Sequence, residues 1–392
     1  MRPVRPRTLV VLVTLASGVA QAFGRFSYAV LLPSIDRDLL GSYALAGLIG
    51  TVNVGAYLLG TLAVSTLARR AAPADLIRAG LAASCAGLAV MSQAGSALTF
   101  TIGTGLAGVG GAFIWVPAPG LAGSVVRTSR RGAAIGLAGT GIGVGIVFVT
   151  ALAAVLQSRG GDGSWRTVYL VEAVLALVVL GLCLLLLRPA AHPADMLAPR
   201  SAALRQVPGW LGIVGGYAAY GLAYSIYTSY LVTALEDDAG LTPGRAALVY
   251  ALIGVSFIGG GVLLGPLSDR WGRGRTLVAG HLVMATAILL VPLGLGPLAV
   301  VSAIAFGLMM SGLPTVIAAH LADVLTPREF AGAFGRCTLF FGVAQLCGPP
   351  LGGLLAERTG AFATSFAVAG CAALLGAAAS VAVVRAPAVR TG

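Results

Sequence analysis

The sequence predicts an all-α membrane protein: twelve transmembrane helices in two pseudo-symmetric six-helix bundles. Three observations predict it. Of the 392 residues, 58% are hydrophobic and 10% are charged, against roughly a quarter charged in a soluble protein. Stretches free of Asp, Glu and Arg, long enough for the about 20 apolar residues that cross hydrocarbon, account for most of the chain. The two halves also repeat at an offset near 199 residues.

Span 1 falls in residues 8–33 and contains Arg25; span 2 falls in 39–68. Residues 79–126 hold spans 3 and 4, broken at the turn-forming Ser92-Gln93-Ala94-Gly95-Ser96. Span 5 lies in 132–158, span 6 in 166–187 with Glu172 inside it, span 7 in 206–235 and span 8 in 246–268. Residues 276–322 hold spans 9 and 10, broken at Pro292-Leu293-Gly294-Leu295-Gly296-Pro297, and spans 11 and 12 lie in 337–356 and 359–384. Arg2, Arg5 and Arg7 before an apolar run ending near Ala20-Gln21-Ala22 imitate a cleaved secretory signal. The apolar character continues past Arg25 to Pro33, and eleven spans follow, so we expect a retained first helix. The organisation is a six-helix half over 1–187, a linker over 188–207 with Pro189, Pro193 and Pro199, and a second half over 208–392.

Net charge is +12 and every one of the 25 basic residues is Arg. Such a balance suggests nucleic acid, but placement decides otherwise. With the N-terminus inside, 18 arginines fall in inner loops and five, Arg37, Arg159, Arg166, Arg245 and Arg358, in outer ones, as the positive-inside rule requires. The expectation is a multi-pass protein of the bacterial cytoplasmic membrane with both termini cytoplasmic, in contact with the bilayer and not with nucleic acid. The five cysteines lie in apolar runs without CxxC spacing, so neither a disulfide framework nor a metal site is expected, and no cofactor.

The repeat extends to polar positions. In span 1, Thr14, Ser17, Gln21, Arg25 and Tyr28 are spaced for one helical face. Adding 199 carries Gln21, Arg25 and Tyr28 onto Tyr220, Tyr224 and Tyr227 of span 7, with Tyr217 extending the stripe. Leu67 to Arg70 matches Leu267 to Arg270, and Thr128-Ser129-Arg130 matches Thr326-Pro327-Arg328. Two parallel six-helix halves are an architecture of secondary transporters, with substrate bound between them near the midplane.

Between spans 8 and 9, Gly265-Pro266-Leu267-Ser268-Asp269-Arg270-Trp271-Gly272-Arg273-Gly274-Arg275 resembles the GxLxDRxGRR signature of the major facilitator superfamily. That resemblance implies alternating access by rocking of the two halves, with spans 1, 4, 7 and 10 lining the cavity. The corresponding loop between spans 2 and 3 departs from the pattern, because Arg69 stands where the family has its acid. By the repeat, Asp269 is expected to face the start of span 5 near Arg130 and Arg131. Arg69 and Arg70 are expected to face the start of span 11, at Glu329, as a latch with its signs exchanged. Phe23 to Pro33 and the glycines Gly139, Gly141, Gly143 and Gly145 of span 5 resemble the YbfB/YjiJ-type branch.

Within this frame, Arg25 is the leading candidate for substrate binding, since an Arg in a membrane helix is costly unless paired or wet. It suits the carboxylate of an organic anion; the other reading is an arginine that snorkels or braces its helix. Gln21, Tyr28, Trp115, Tyr220, Tyr224 and Tyr227 are expected to line the pathway beside it, against the alternative of aromatic packing. Asn53 and Gln345 are weaker polar candidates. Arg69, Arg70, Asp269, Arg270, Gly272, Arg273 and Glu329 form the gating set. Glu172 is either a proton carrier or a structural, hydrogen-bonded acid. The function expected is secondary transport of a small organic solute by a monomer with a proton as possible coupling ion; the alternative is drug or metabolite efflux with Arg25 structural. A membrane enzyme or a sensor is disfavoured, because no catalytic residue set and no soluble output domain is visible.

Overall fold

The computed structural model describes residues 6–67, 70–124, 131–187, 203–294 and 296–385, which form twelve long helices and, among the described residues, no strand. In the first half these are α1 (Pro6–Leu40), α2 (Tyr43–Leu67), α3 (Pro73–Ser92), α4 (Ala97–Gly123), α5 (Arg131–Gly160) and α6 (Trp165–Leu186). The second half holds α7 (Trp210–Asp237), α8 (Pro243–Trp271), α9 (Arg273–Leu290), α10 (Gly296–Ala322), α11 (Pro327–Thr359) and α12 (Ala363–Arg385). Eleven of them carry a segment long and apolar enough to cross a membrane. The twelfth, α7, has 28 residues, about 42 Å at 1.5 Å per residue. Its length suffices, and its tyrosines, Tyr217, Tyr220, Tyr224, Tyr227 and Tyr230, lower its mean hydropathy.

Local chemistry sets the helix ends. Pro73 opens α3, where a missing N–H costs nothing. Ser96 caps α4 by accepting the Thr99 N–H at 3.2 Å. Thr326 and Glu329 form a capping box that starts α11. Between α8 and α9 the chain turns at Gly272 with φ +90°, a conformation side chains rarely adopt.

The chain divides into two compact units: Met1–Ala194 with Leu241–Gly254, and Asp195–Gly240 with Val255–Gly392. Within the first, α3 packs against α4 and α6, α2 against α4, and α1 against α5. Within the second, α9 packs against α10 and α12, and α7 against α11 and α12. Glycines permit the closest approaches. A methyl group on Gly60 of α2 would meet the Ala112 methyl of α4 at 2.8 Å. On Gly260 of α8, 200 residues further on, it would meet the Leu308 carbonyl of α10 at 2.1 Å. The crossing of α1 with α5 depends on Gly141, whose added methyl would lie 2.0 Å from the Thr14 carbonyl; that of α7 with α11 depends on Gly348, opposite Ser225.

At one end of the first unit, Arg37 pairs with Asp162 at 2.9 Å, and Asp38 pairs with Arg166 and accepts the Trp165 indole N–H. These exposed pairs join the end of α1 to the start of α6, each worth at most about 1 kcal/mol. In the second unit, Asp238 follows α7 and accepts the Phe362 N–H at 2.7 Å, just before α12. Burial pushes the Asp238 carboxyl above its usual range; the Phe362 N–H pulls it back and neighbouring Asp237 raises it again.

Candidate functional site

Helix α1 is not uniformly α-helical. Val19–Phe26 is wound as a π-helix between the α-helical segments Pro6–Gly18 and Ser27–Ile35. Such i→i+5 turns recur at functional sites. Here the wide segment carries Gln21 and Arg25. Loosened carbonyls in a membrane helix need other donors, and two side chains supply them. Asn53 of α2 donates to the Gly24 carbonyl at 2.9 Å and to the Thr104 carbonyl of α4 at 3.0 Å. The Ser27 hydroxyl lies 3.2 Å from the Ala22 carbonyl, which also accepts the Ser27 N–H.

That same hydroxyl lies 2.5 Å from Glu172 Oε1 of α6. Glu172 is 0% exposed, and its second oxygen has no protein partner. Tyr169, one turn earlier on α6, is also fully buried with an unpartnered hydroxyl; its ring packs against Phe100 and Trp165. A buried acid is thus held by the residue two positions after Arg25. Sequence reasoning singled out Arg25 and Glu172 separately and missed Ser27. The signal lay in the composition of α1, where Ser27 is a small hydroxyl two residues after Arg25. It was hidden because a π turn advances each residue by less than an α turn, so the face drawn at 3.6 residues per turn does not hold through 19–26.

Of the other candidates in the first unit, Gln21 is buried, and Arg25 and Trp115 are half-buried. Tyr28 donates its hydroxyl to the Ala46 carbonyl of α2 at 2.8 Å, with its ring 5.8 Å from Phe100. In the second unit the tyrosine stripe is drawn together. Tyr217, Tyr220 and Tyr224 stack in series at 5.7 and 5.6 Å, and all three contact Phe341 of α11. Each such pair is worth about 0.5–1.5 kcal/mol beyond its burial. Tyr220 donates to the Met310 carbonyl of α10 at 2.8 Å. Tyr227 is enclosed, with its ring 3.8 Å from that of Phe306 and its hydroxyl 2.7 Å from Ser302. Gln345 of α11 is 2% exposed with its Nε2 unpartnered.

The gating set resolves in part. Arg69 and Arg130 lie outside the described residues, as does the Arg131 side chain. Arg70 closes the turn after α2 through its N–H to the Leu67 carbonyl, and Arg270 is exposed. Asp269 pairs with Arg273 at 2.5 Å; Arg273 also reaches Asp323 at the end of α10, at 2.9 Å, and the Ser268 hydroxyl. The signature loop is therefore a local ion-pair network that ties α8, α9 and α10 together. Glu329 accepts from Thr326 in the capping box. Among the described residues no cluster of His, Cys, Asp or Glu could hold a metal ion.

The family profile described as "Uncharacterised MFS-type transporter YbfB" matches residues 17–381. The chain belongs to the major facilitator superfamily. Among similar proteins, the rat monocarboxylate transporter 13 is 27% identical over 376 residues, 92% of this chain and 84% of that protein. The human monocarboxylate transporter 11 is 28% identical, covering 80% of this chain and 69% of its own length. The transporter YgaY of Escherichia coli O157:H7 is 30% identical over 44% of this chain and 43% of its own. In fold, a D-xylose-proton symporter superposes with a TM-score of 0.77 over 95% of this chain and 97% of its own at 16% identity. A bacterial homologue of the human lysosomal transporter Spinster does so with 0.72, over 97% and 95%, at 18% identity. This superfamily member is a multi-pass membrane protein and a secondary transporter of a small solute, not an enzyme.

Proposed function

We propose that the protein carries a small organic anion, a monocarboxylate in the first instance, coupled to a proton. The carrying observation is the wide turn of α1, which bears Arg25 and is hydrogen-bonded through Ser27 to the buried Glu172. Arg25 supplies the cation for the substrate carboxylate. Gln21, Tyr28 and Trp115 complete the lining in the first unit; in the second, Tyr220 and Tyr224 are the candidate substrate contacts, backed by Tyr227. The relatives named as monocarboxylate transporters support this substrate class.

Hydrogen counting supports the coupling. The Ser27 hydroxyl has one proton and two acceptors in reach, Glu172 Oε1 and the Ala22 carbonyl. When Glu172 is a carboxylic acid it donates to Ser27, and Ser27 donates to Ala22, closing the wide turn. When Glu172 is a carboxylate it accepts the hydrogen bond of the Ser27 O–H, which then no longer donates to the Ala22 carbonyl. The protonation state of α6 is thereby written into the turn that holds Arg25. In this reading the protein works as a monomer in a bacterial cytoplasmic membrane with both termini inside. Asp269, Arg270, Gly272 and Arg273, in the signature loop between α8 and α9, serve gating at the inner side.

A thermal-stability screen of the purified protein over short monocarboxylates, sugars and organic cations tests the substrate class. The expected result is a rise in melting temperature with monocarboxylates that disappears in Arg25→Gln. Stabilisation by sugars or cations alone, or an undiminished monocarboxylate effect in Arg25→Gln, contradicts it.

A further inference from the structure

The second unit holds a buried carboxamide that the transport reading does not use. Gln345 of α11 is 2% exposed, and its Nε2 has no hydrogen-bond partner. Two close approaches to α7 bracket its place. One turn before it, a methyl added at Gly221 would meet the Phe341 carbonyl at 2.5 Å; three residues after it, Gly348 lies against Ser225. Gln345 therefore sits at the α7–α11 crossing, at the height of α7 between Gly221 and Ser225. A helical side chain leans over the turn that precedes it. Here that is the turn of Phe341, whose ring meets those of Tyr217, Tyr220 and Tyr224.

Of the hydroxyls on the facing stretch of α7, that of Tyr220 donates to the Met310 carbonyl and that of Ser225 to the Leu222 carbonyl at 3.0 Å. The carboxamide has two N–H donors, and neither finds an acceptor in the fold. An unmade donor in the interior is a standing cost, and a packing role alone is met without that cost by Leu or Met. Aromatic faces beside an unspent polar group are what a site for a small organic molecule combines.

We propose that Gln345 is a specificity-determining substrate contact of the second unit. Its N–H donates to an acceptor oxygen of the substrate other than the carboxylate, against the aromatic faces of Phe341 and Tyr224. In a short monocarboxylate that oxygen is a 2-oxo or 2-hydroxy group, so acids bearing one are taken ahead of unsubstituted acids of the same length. An acid without the oxygen leaves the buried donor unpaired and forgoes the bond. The inference rests on the proposed carriage of a monocarboxylate and adds a second point of recognition to it.

The test compares the affinities of the purified full chain for pyruvate and propionate, acids of equal length and charge that differ by the 2-oxo oxygen, read from the rise of melting temperature with ligand concentration. The unmodified protein is expected to bind pyruvate about tenfold tighter, the worth of one neutral hydrogen bond. Gln345→Met, unbranched and of similar size but without a donor, is expected to bind both acids as the unmodified protein binds propionate. Gln345→Asn, which keeps the amide but withdraws it by one methylene, serves where Gln345→Met does not fold, with the same expected loss of preference. Equal affinities in the unmodified protein, or a preference for pyruvate that survives these substitutions, overturns the inference and leaves the monocarboxylate reading standing. Binding of neither acid overturns both.

Discussion

Ser27 is where two charged features of the molecule meet, one hydroxyl proton having to serve either Glu172 or the Ala22 carbonyl. Ser27→Ala removes the choice without altering either charge. It is expected to leave the protein folded and to flatten the pH dependence of uptake, whereas a purely structural serine would lower uptake equally at every pH. Glu172→Gln keeps an oxygen and an N–H donor for Ser27 and is expected to abolish proton-driven accumulation while sparing exchange of substrate for substrate. Arg25 and Glu172 were legible in the sequence because a charge inside an apolar run has few explanations. Ser27 was not, because its meaning depends on a non-α turn that no periodicity announces.

At the scale of helices, the crossings turn on where a side chain has room. An added methyl at Gly139 of α5 meets nothing within 4 Å, whereas at Gly141 it strikes the backbone of α1. Gly139→Ala is expected to be neutral or slightly stabilising through helix propensity. Gly141→Ala forces α1 and α5 apart and is expected to cost about 1–3 kcal/mol, read as a fall in unfolding midpoint in detergent. The sequence showed the glycine-rich stretch of α5, but it did not distinguish these two positions. The Asp238 contact makes a further prediction. Its folded pKa is raised, so the stability it contributes is present below the unfolded carboxylate pKa and lost as pH rises through the folded one. Asp238→Asn keeps an acceptor for the Phe362 N–H, and its melting temperature is expected to fall less than that of the parent between about pH 4 and 7.

For the whole molecule, the repeat carried most of the fold. Helix pairs recur in both units, and glycines 200 residues apart open equivalent crossings at Gly60 and Gly260. Twelve spans were countable because charges mark their ends, even for α7, whose tyrosines hide it from mean hydropathy. What single residues do inside each unit was less visible, since several tyrosine hydroxyls are spent on carbonyls of neighbouring helices, as at Tyr220. The arginine placement makes a testable expectation of orientation. Alkaline phosphatase fused after Gly240 is expected to be active and a fusion after Arg275 inactive; the reverse pattern would invert the topology.

The central claim is that Arg25 binds a monocarboxylate in a cycle that also moves a proton. The most direct measurement is uptake of radiolabelled L-lactate into proteoliposomes under an imposed pH gradient, comparing the unmodified protein with Arg25→Ala and Arg25→Lys. Losing a charge-assisted carboxylate contact of about 1.5–3 kcal/mol corresponds to at least a tenfold loss of lactate uptake in Arg25→Ala. Partial recovery is expected in Arg25→Lys, with uptake by the unmodified protein rising as the pH gradient steepens. Lactate uptake unchanged by Arg25→Ala and indifferent to the gradient would contradict the account.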